Sequence, residues 1–220
     1  MILQQDKTYV IVIDEKKFNK IPFFMNLHAI FIIVFNYSNF MESNMEFFRT
    51  NQYSRVNAVK YARTYALFPN QNFRYFPLIN NETSGDCANF LSQCLLAGGS
   101  PMLYNVSHPW WYHKSNNIST KDDTWSISWA VAHSLYWLLK NNYQSKASGI
   151  KGFEVNDIRL LELGDLMFFE DDNGKIFHSA IITSFRYSQP LISQHSFQAL
   201  DIFYKNSWPA NHIHFLKIVL

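Results

Sequence analysis

Three residues far apart in the chain have the types that nucleophilic amide chemistry needs. Cys87 follows Gly85-Asp86 and opens "CANFLSQCLLA", a segment with helical spacing. His178 begins the apolar part of "KIFHSAIIT", and His195 lies in "PLISQHS". A thiol becomes a good nucleophile when its thiolate is stabilised, and a helix N-terminus supplies unpaired N–H groups and the positive end of the helix dipole. A nearby imidazole takes the thiol proton and returns it to the leaving amine. A third polar group holds the imidazole in its working orientation. The Cys87 backbone N–H is a natural donor to the developing oxyanion, and Asp86 either caps the helix or holds a substrate amine.

These residues need rigid elements to bring them together. "YSRVNAVKYARTYAL" (53–67) has a helical rhythm through Tyr53, Val56, Val59, Ala62 and Ala66, and Pro69 ends it. Ser84 or Asp86 is the expected N-cap of the next helix, which buries Phe90, Leu91, Cys94 and Leu95 and stops at Gly98-Gly99. Gln93 reads as a structural residue of that helix. In the long loop 100–123, Trp110 and Trp111 either line a substrate groove or pin the loop down. Residues 124–142 predict one helix with Trp125, Trp129 and Trp137 as core. The period then changes. "DLMFFE" (165–170), "KIFHSAIITSF" (175–185), "QPLISQHS" (189–196) and "HIHFLKIVL" (212–220) read as strands, with "DDNG" (171–174) as a hairpin turn. Helices first and an antiparallel meander afterwards define an α+β domain, its N-terminal helices packed on an antiparallel β-sheet.

The 220 residues divide into an extension, 1–50, and a domain, 51–220. With 48% hydrophobic and 16% charged residues the chain can build a core, and wholesale disorder is excluded. A net charge of +2 without a basic run gives no reason to expect nucleic acid as a partner. Two cysteines seven residues apart in one helix are separated by about 10.5 Å, beyond disulfide reach, so both are free thiols and Cys94 is structural. In the extension, residues 8–13 read as a strand. Residues 21–40 follow a lysine-rich flank and are strongly apolar. They read as an export signal, a membrane anchor or a buried packing element, and membrane association through them is one expectation. "HIHF" places His212 and His214 on one face of a strand, but zinc wants three or four ligands and only His195 offers itself as a third. The expectation is therefore no metal and no cofactor. His108, His113 and His133 read as solvated.

Taken together and in order, "YSRVNAVKYA", "GDCANFLSQCLLAGGSPM", "WWY", "TWSISW", "LGDLMFFE", "GKIFHSAIIT" and "PLISQHS" resemble the putative amidase domain family over roughly residues 53 to 210. That family is similar to the NlpC/P60 and CHAP groups of papain-like cysteine peptidases. The resemblance implies a papain-like, NlpC/P60-type fold, with the nucleophile at Cys87, the base at His178 and the third residue at His195. In NlpC/P60-type domains the third residue is a His, Asn or Gln on the next strand, so Gln194 competes with His195. Strand alternation lets only one of them face His178, and the family pattern favours His195. The resemblance further implies a cysteine-dependent amidase or peptidase acting on peptide or peptidoglycan amides, for which an extracellular or cell-wall location is favoured and a cytoplasmic one stays open. The alternative is a catalytically inactive cell-wall-binding module on the same scaffold.

Overall fold

Ala58, Ala62 and Ala66 recur every fourth residue, and all three are fully buried. The first two belong to helix α1 (Arg55–Tyr65) and Ala66 is its C-cap. One-carbon side chains on a single stripe let the neighbouring helix α2 (Cys87–Ala97) pack close. Val56, expected on this stripe, points the other way and is 77% exposed. The computed structural model describes residues 53–79, 85–104, 107–117 and 119–220, with the backbone of an antiparallel hairpin, β1 (Ile2–Gln5) and β2 (Thr8–Ile11). The hairpin lies in one compact unit, Met1–Arg49, and the remaining described residues in a second, Thr50–Leu220. The apolar segment 21–40 falls outside the described residues. Among the described residues no helix is long and apolar enough to cross a membrane.

Helix α2 is the centre of the second unit. Residues 87 to 95 are all buried, as expected of a helix packed on every side. Its polar side chains are therefore each given a partner. Ser92 donates to the Trp129 carbonyl (2.8 Å) and accepts from the Trp110 indole (3.0 Å). The carboxamide oxygen of Asn89 accepts from the Trp129 indole at 2.7 Å, and Gln93 accepts from the Tyr61 hydroxyl at 2.7 Å. A buried polar group without such a partner would cost about 1–3 kcal/mol.

The stretch expected as one helix over 124–142 is divided. Thr124–Trp125 (β4) pairs with Tyr112–His113 (β3), a short helix α3 follows (Ile127–Ala130), and α4 spans Ala132–Gln144. Val131 between the two helices is extended (φ −117°, ψ 119°), so the tryptophans no longer share one face. Trp129 is fully buried, whereas Trp137 is 43% exposed.

Six antiparallel strands then form one sheet: β5 (Lys151–Val155), β6 (Leu166–Glu170), β7 (Ile176–Arg186), β8 (Gln189–Gln194), β9 (Ala199–Phe203) and β10 (His212–Val219). Their order is β5-β10-β6-β7-β8-β9. Strands β5 and β9 had no clear sequence signature. Alternation sorts the side chains. Leu166, Phe168, Ile181, Leu216 and Ile218 join the helices in one core, and Met167, Phe169, Ala180, Ile182 and Ile192 form a second cluster on the other face. The domain is α+β, as the order of its elements predicts.

Helix α1 is pinned to the sheet by a buried charge. Arg55 contacts the fully buried Asp165 at 2.5 Å and donates to the carbonyls of Leu163 (3.0 Å) and Ile218 (2.9 Å). Asp165 also accepts the amides of Glu162 (2.8 Å) and Ile218 (3.0 Å). Removing the guanidinium strands a buried carboxylate, so Arg55→Ala should lower unfolding free energy by about 3 kcal/mol in urea titrations. A change below about 0.5 kcal/mol, the range of ordinary surface substitutions, would show that the pair does not anchor the helix.

Candidate active site

Cys87 is the first residue of α2, and its thiol is 7% exposed in a cleft of about 320 Å³. His178 lines the same cleft from β7. Phe76, Trp125, Val131, Phe177 and Trp208 give it apolar walls, and Lys175 is the cation on its lining. Of the two readings of Trp110, groove wall or loop pin, the structure has the second: it is fully buried in the core with its indole bonded to Ser92, and Trp111 stacks on Tyr104 at 6.0 Å. The indoles at the cleft are Trp125 and Trp208. Trp208 follows a short irregular stretch that carries no motif, so no local signal pointed to it.

His178 keeps the regular alternation of β7 and shares a face with Ala180 and Ile182 of the second cluster, and the irregularity of the sheet lies just before it. Phe169 pairs with His178 but Glu170 pairs with Ile176, so Phe177 is an extra residue in β7. This bulge reverses the alternation at the strand's start. Ile176 packs with the helices, whereas His178 lies among Phe169 (5.2 Å) and Trp208 (6.2 Å). There the imidazole Nε2–H donates to the Gln194 carboxamide oxygen at 3.0 Å, and the Ser207 hydroxyl donates to the same oxygen at 2.6 Å. That bond fixes the tautomer and leaves Nδ1 as the basic nitrogen. Strand β8 ends at Gln194.

His195 lies elsewhere. The expectation that it, rather than Gln194, stands against His178 is not met, because consecutive residues leave the strand in opposite directions. Its ring stacks on Phe90 of α2 (centroids 4.1 Å apart). Its Nδ1 meets the Asp86 carboxylate at 2.5 Å and its Nε2 the Tyr65 carbonyl at 2.8 Å. Both ring nitrogens are thereby occupied. One holds the residue before Cys87, and the other satisfies a carbonyl that the C-terminus of α1 leaves open.

Asp86 occupies the N-cap position of α2 without a side-chain capping bond. Besides His195, its carboxylate accepts the Phe76 amide (2.9 Å) and the Asn89 carboxamide (2.8 Å). It is 1% exposed and not free to hold a substrate amine. The Asp86 amide donates to the Ser196 hydroxyl, which passes so close to Gly85 that a Cβ there would lie 2.6 Å from its oxygen. Two further positioning residues carried no sequence signal. His133, read as solvated, accepts the Ile176 amide at 3.2 Å at the start of β7. The Ser179 hydroxyl has no hydrogen-bond partner of its own, and it lies beside the Cys87 sulfur.

Electrostatically the site rests neutral. Burial pushes the Cys87 thiol up, the hydroxyl and amide of Ser179 oppose that rise, and the Asp86 charge adds to it. Burial pulls the His178 imidazole down to about 4, although its bond to Gln194 works the other way. No hydrogen bond joins the sulfur to the imidazole. Cys94 is fully buried and its thiol is raised well above its ordinary value by burial, in keeping with a structural role. The one His/Glu grouping with metal-ligand spacing among the described residues, Glu154 with His212 and His214, contributes nothing to the lining of this cleft.

A buried thiol at a helix start and a neutral imidazole with an amide on its far nitrogen share one cleft. The sequence matches the Putative amidase domain family over residues 52–216, and the chain belongs to that family. It is 34% identical to Uncharacterized protein YhbB of Bacillus subtilis (strain 168) over 157 residues, 69% of this chain and 43% of that protein. It is 30% identical to Uncharacterized protein YjcM of the same organism over 177 residues, 76% of this chain and 37% of that protein. The chain thus spans less than half the length of these curated relatives. No solved structure matches it significantly.

The neutral burial of His178 makes stability depend on pH. Below about pH 6.5 the unfolded chain takes up a proton at this position that the folded chain refuses until about pH 4, so stability is lost as pH falls through that window. The loss attributable to His178 should reach about 3 kcal/mol. Urea titrations from pH 7.5 to 4 should show a shallower decline for His178→Gln than for the wild type. Parallel curves would mean that the imidazole is not buried as described.

Proposed function

We propose that this chain is a papain-like cysteine hydrolase of amide bonds, related to the NlpC/P60 and CHAP peptidases, with Cys87 as nucleophile, His178 as general base and acid, and Gln194 as the residue that orients it. The observation that carries this is the Gln194–His178 hydrogen bond beside a cleft shared with Cys87. The bond spends Nε2–H on the orienting amide and frees Nδ1 for the thiol proton.

The steps follow from these positions. In the substrate complex His178 Nδ1 removes the Cys87 proton as the sulfur adds to the carbonyl carbon. That hydrogen bond forms on binding, since catalytic contacts are often long in the free enzyme. The Cys87 amide, one of the donors left open at the start of α2, faces the oxyanion. The imidazolium gives its proton to the amine nitrogen, the C–N bond breaks, and a thioester remains. Water then attacks the thioester with the imidazole as base, releasing a carboxylate and the thiol. Aromatic walls suit a peptide backbone, and analogy with the NlpC/P60 fold points to peptidoglycan stem peptides.

A non-catalytic binding module is the rival. The raised thiol and the absence of a sulfur–imidazole bond favour it. Hydrolysis of stem-peptide amides separates the two. Cys87→Ala should abolish turnover with the fold intact, His178→Ala should lower it by about 10²–10⁴-fold, and Gln194→Ala should lower it less. Cys94→Ala should retain activity. Binding of these peptides with equal affinity by wild type and Cys87→Ala, and no turnover by either, would establish the binding module instead.

A further inference from the structure

Strand β10 places His212 and His214 two residues apart on the face that packs against α4, their ring centroids 4.5 Å apart. Two residues on from His214, Leu216 pairs with Glu154 on β5, and His212 pairs with Glu170 on β6. Three adjacent strands thus deliver two imidazoles and two carboxylates to one spot. Sequence alone shows only the histidine pair, since Glu154 and Glu170 lie more than forty residues away.

We propose that Glu154, His212 and His214 form a binding site for a divalent transition-metal ion of the zinc class. Their ligand atoms lie within 4.8 Å of one another. A tetrahedral zinc ion bonded at about 2.0–2.2 Å sets its donors about 3.3–3.6 Å apart, so side-chain rotations must draw the widest pair together and part Nδ1 from Oε1. His212 is exposed, with its ring edge against that of His214.

The surroundings are arranged as the outer shell of such a site. The His214 Nδ1 faces the Glu154 Oε1 at 2.5 Å, while its Nε2 faces the Glu170 Oε2 at 2.9 Å. A ligating histidine almost always gives its second nitrogen to a carboxylate, which fixes the ring. Glu154 is held in turn by its other oxygen, which accepts from Lys140 (2.7 Å) and Tyr136 (3.2 Å). The ion would take the place of the proton between Oε1 and the His214 Nδ1. Two nitrogens and one carboxylate oxygen suit Zn²⁺ or Co²⁺, with a water in the fourth position. The ion would clamp β5 to β10.

The experiment is equilibrium dialysis of Zn²⁺ against the chelator-treated full chain, carried out in a Cys87→Ala background so that the cleft thiol cannot contribute. One ion per chain is expected, with a rise in melting temperature on zinc addition. His212→Ala, at an exposed position, should keep the circular-dichroism spectrum and lose both effects. Glu170→Gln should weaken binding by about 10–100-fold. No stoichiometric uptake, or uptake that survives His212→Ala, would overturn the site and leave these residues as a closed ionic network around Lys140.

Discussion

The buried contact between Asp86 and His195 is the constraint on which the candidate site depends. Each side chain is 1% exposed, and neither can be there without the other. Through Asp86 the contact holds the residue preceding Cys87, the Phe76 amide and the first turn of α2. Through His195 it holds the C-terminal carbonyl of α1 and a ring stacked on Phe90. One polar pair therefore sets how α1, α2 and the end of β8 meet. Burying it is costly unless every donor and acceptor is used, and here both ring nitrogens and the carboxylate are.

Next to that fixed frame the cleft is deliberately low in charge. Cys87 and His178 are both buried deeply enough that desolvation outweighs the Ser179 groups beside the sulfur and the bond His178 donates to Gln194, so the thiol is held up and the imidazole down. A substrate that displaces water and brings sulfur and imidazole together would change this balance at the moment it binds. Ser179 stands at the boundary. Its hydroxyl and amide lie beside the sulfur and oppose the rise that burial imposes on the thiol.

The sheet supplies the precision. Alternation along β7 directs His178 to one face and Ser179 to the other, and an extra residue, Phe177, puts Ile176 on the helix side. The amide of Ile176, at the start of the same strand, is received by His133. The same geometry on the opposite part of the sheet gathers Glu154, His212 and His214 from strands distant in sequence.

By itself the sequence determined the class of the fold, the helix that Cys87 opens, the β6–β7 hairpin with its Asp171–Gly174 turn, and the strands that carry His178, Gln194 and the paired histidines. These are local properties, since period, turn residues and helix stops act over a few residues. Tertiary structure alone decided which of Gln194 and His195 meets His178. Pairing of Ile182 with Ile192 puts Gln194 on the face of His178 and the strand ends there, and no local pattern records which residues pair across the sheet. Tertiary structure also withdrew Trp110 into the core, turned Val56 outward, interrupted the 124–142 helix and brought Trp125 and Trp208 to the cleft. The deciding contacts join separate elements: Trp110 is held by Ser92 of α2, and Trp125 is drawn into a ladder with Tyr112. Local propensity is a weak preference that packing across the core overrides.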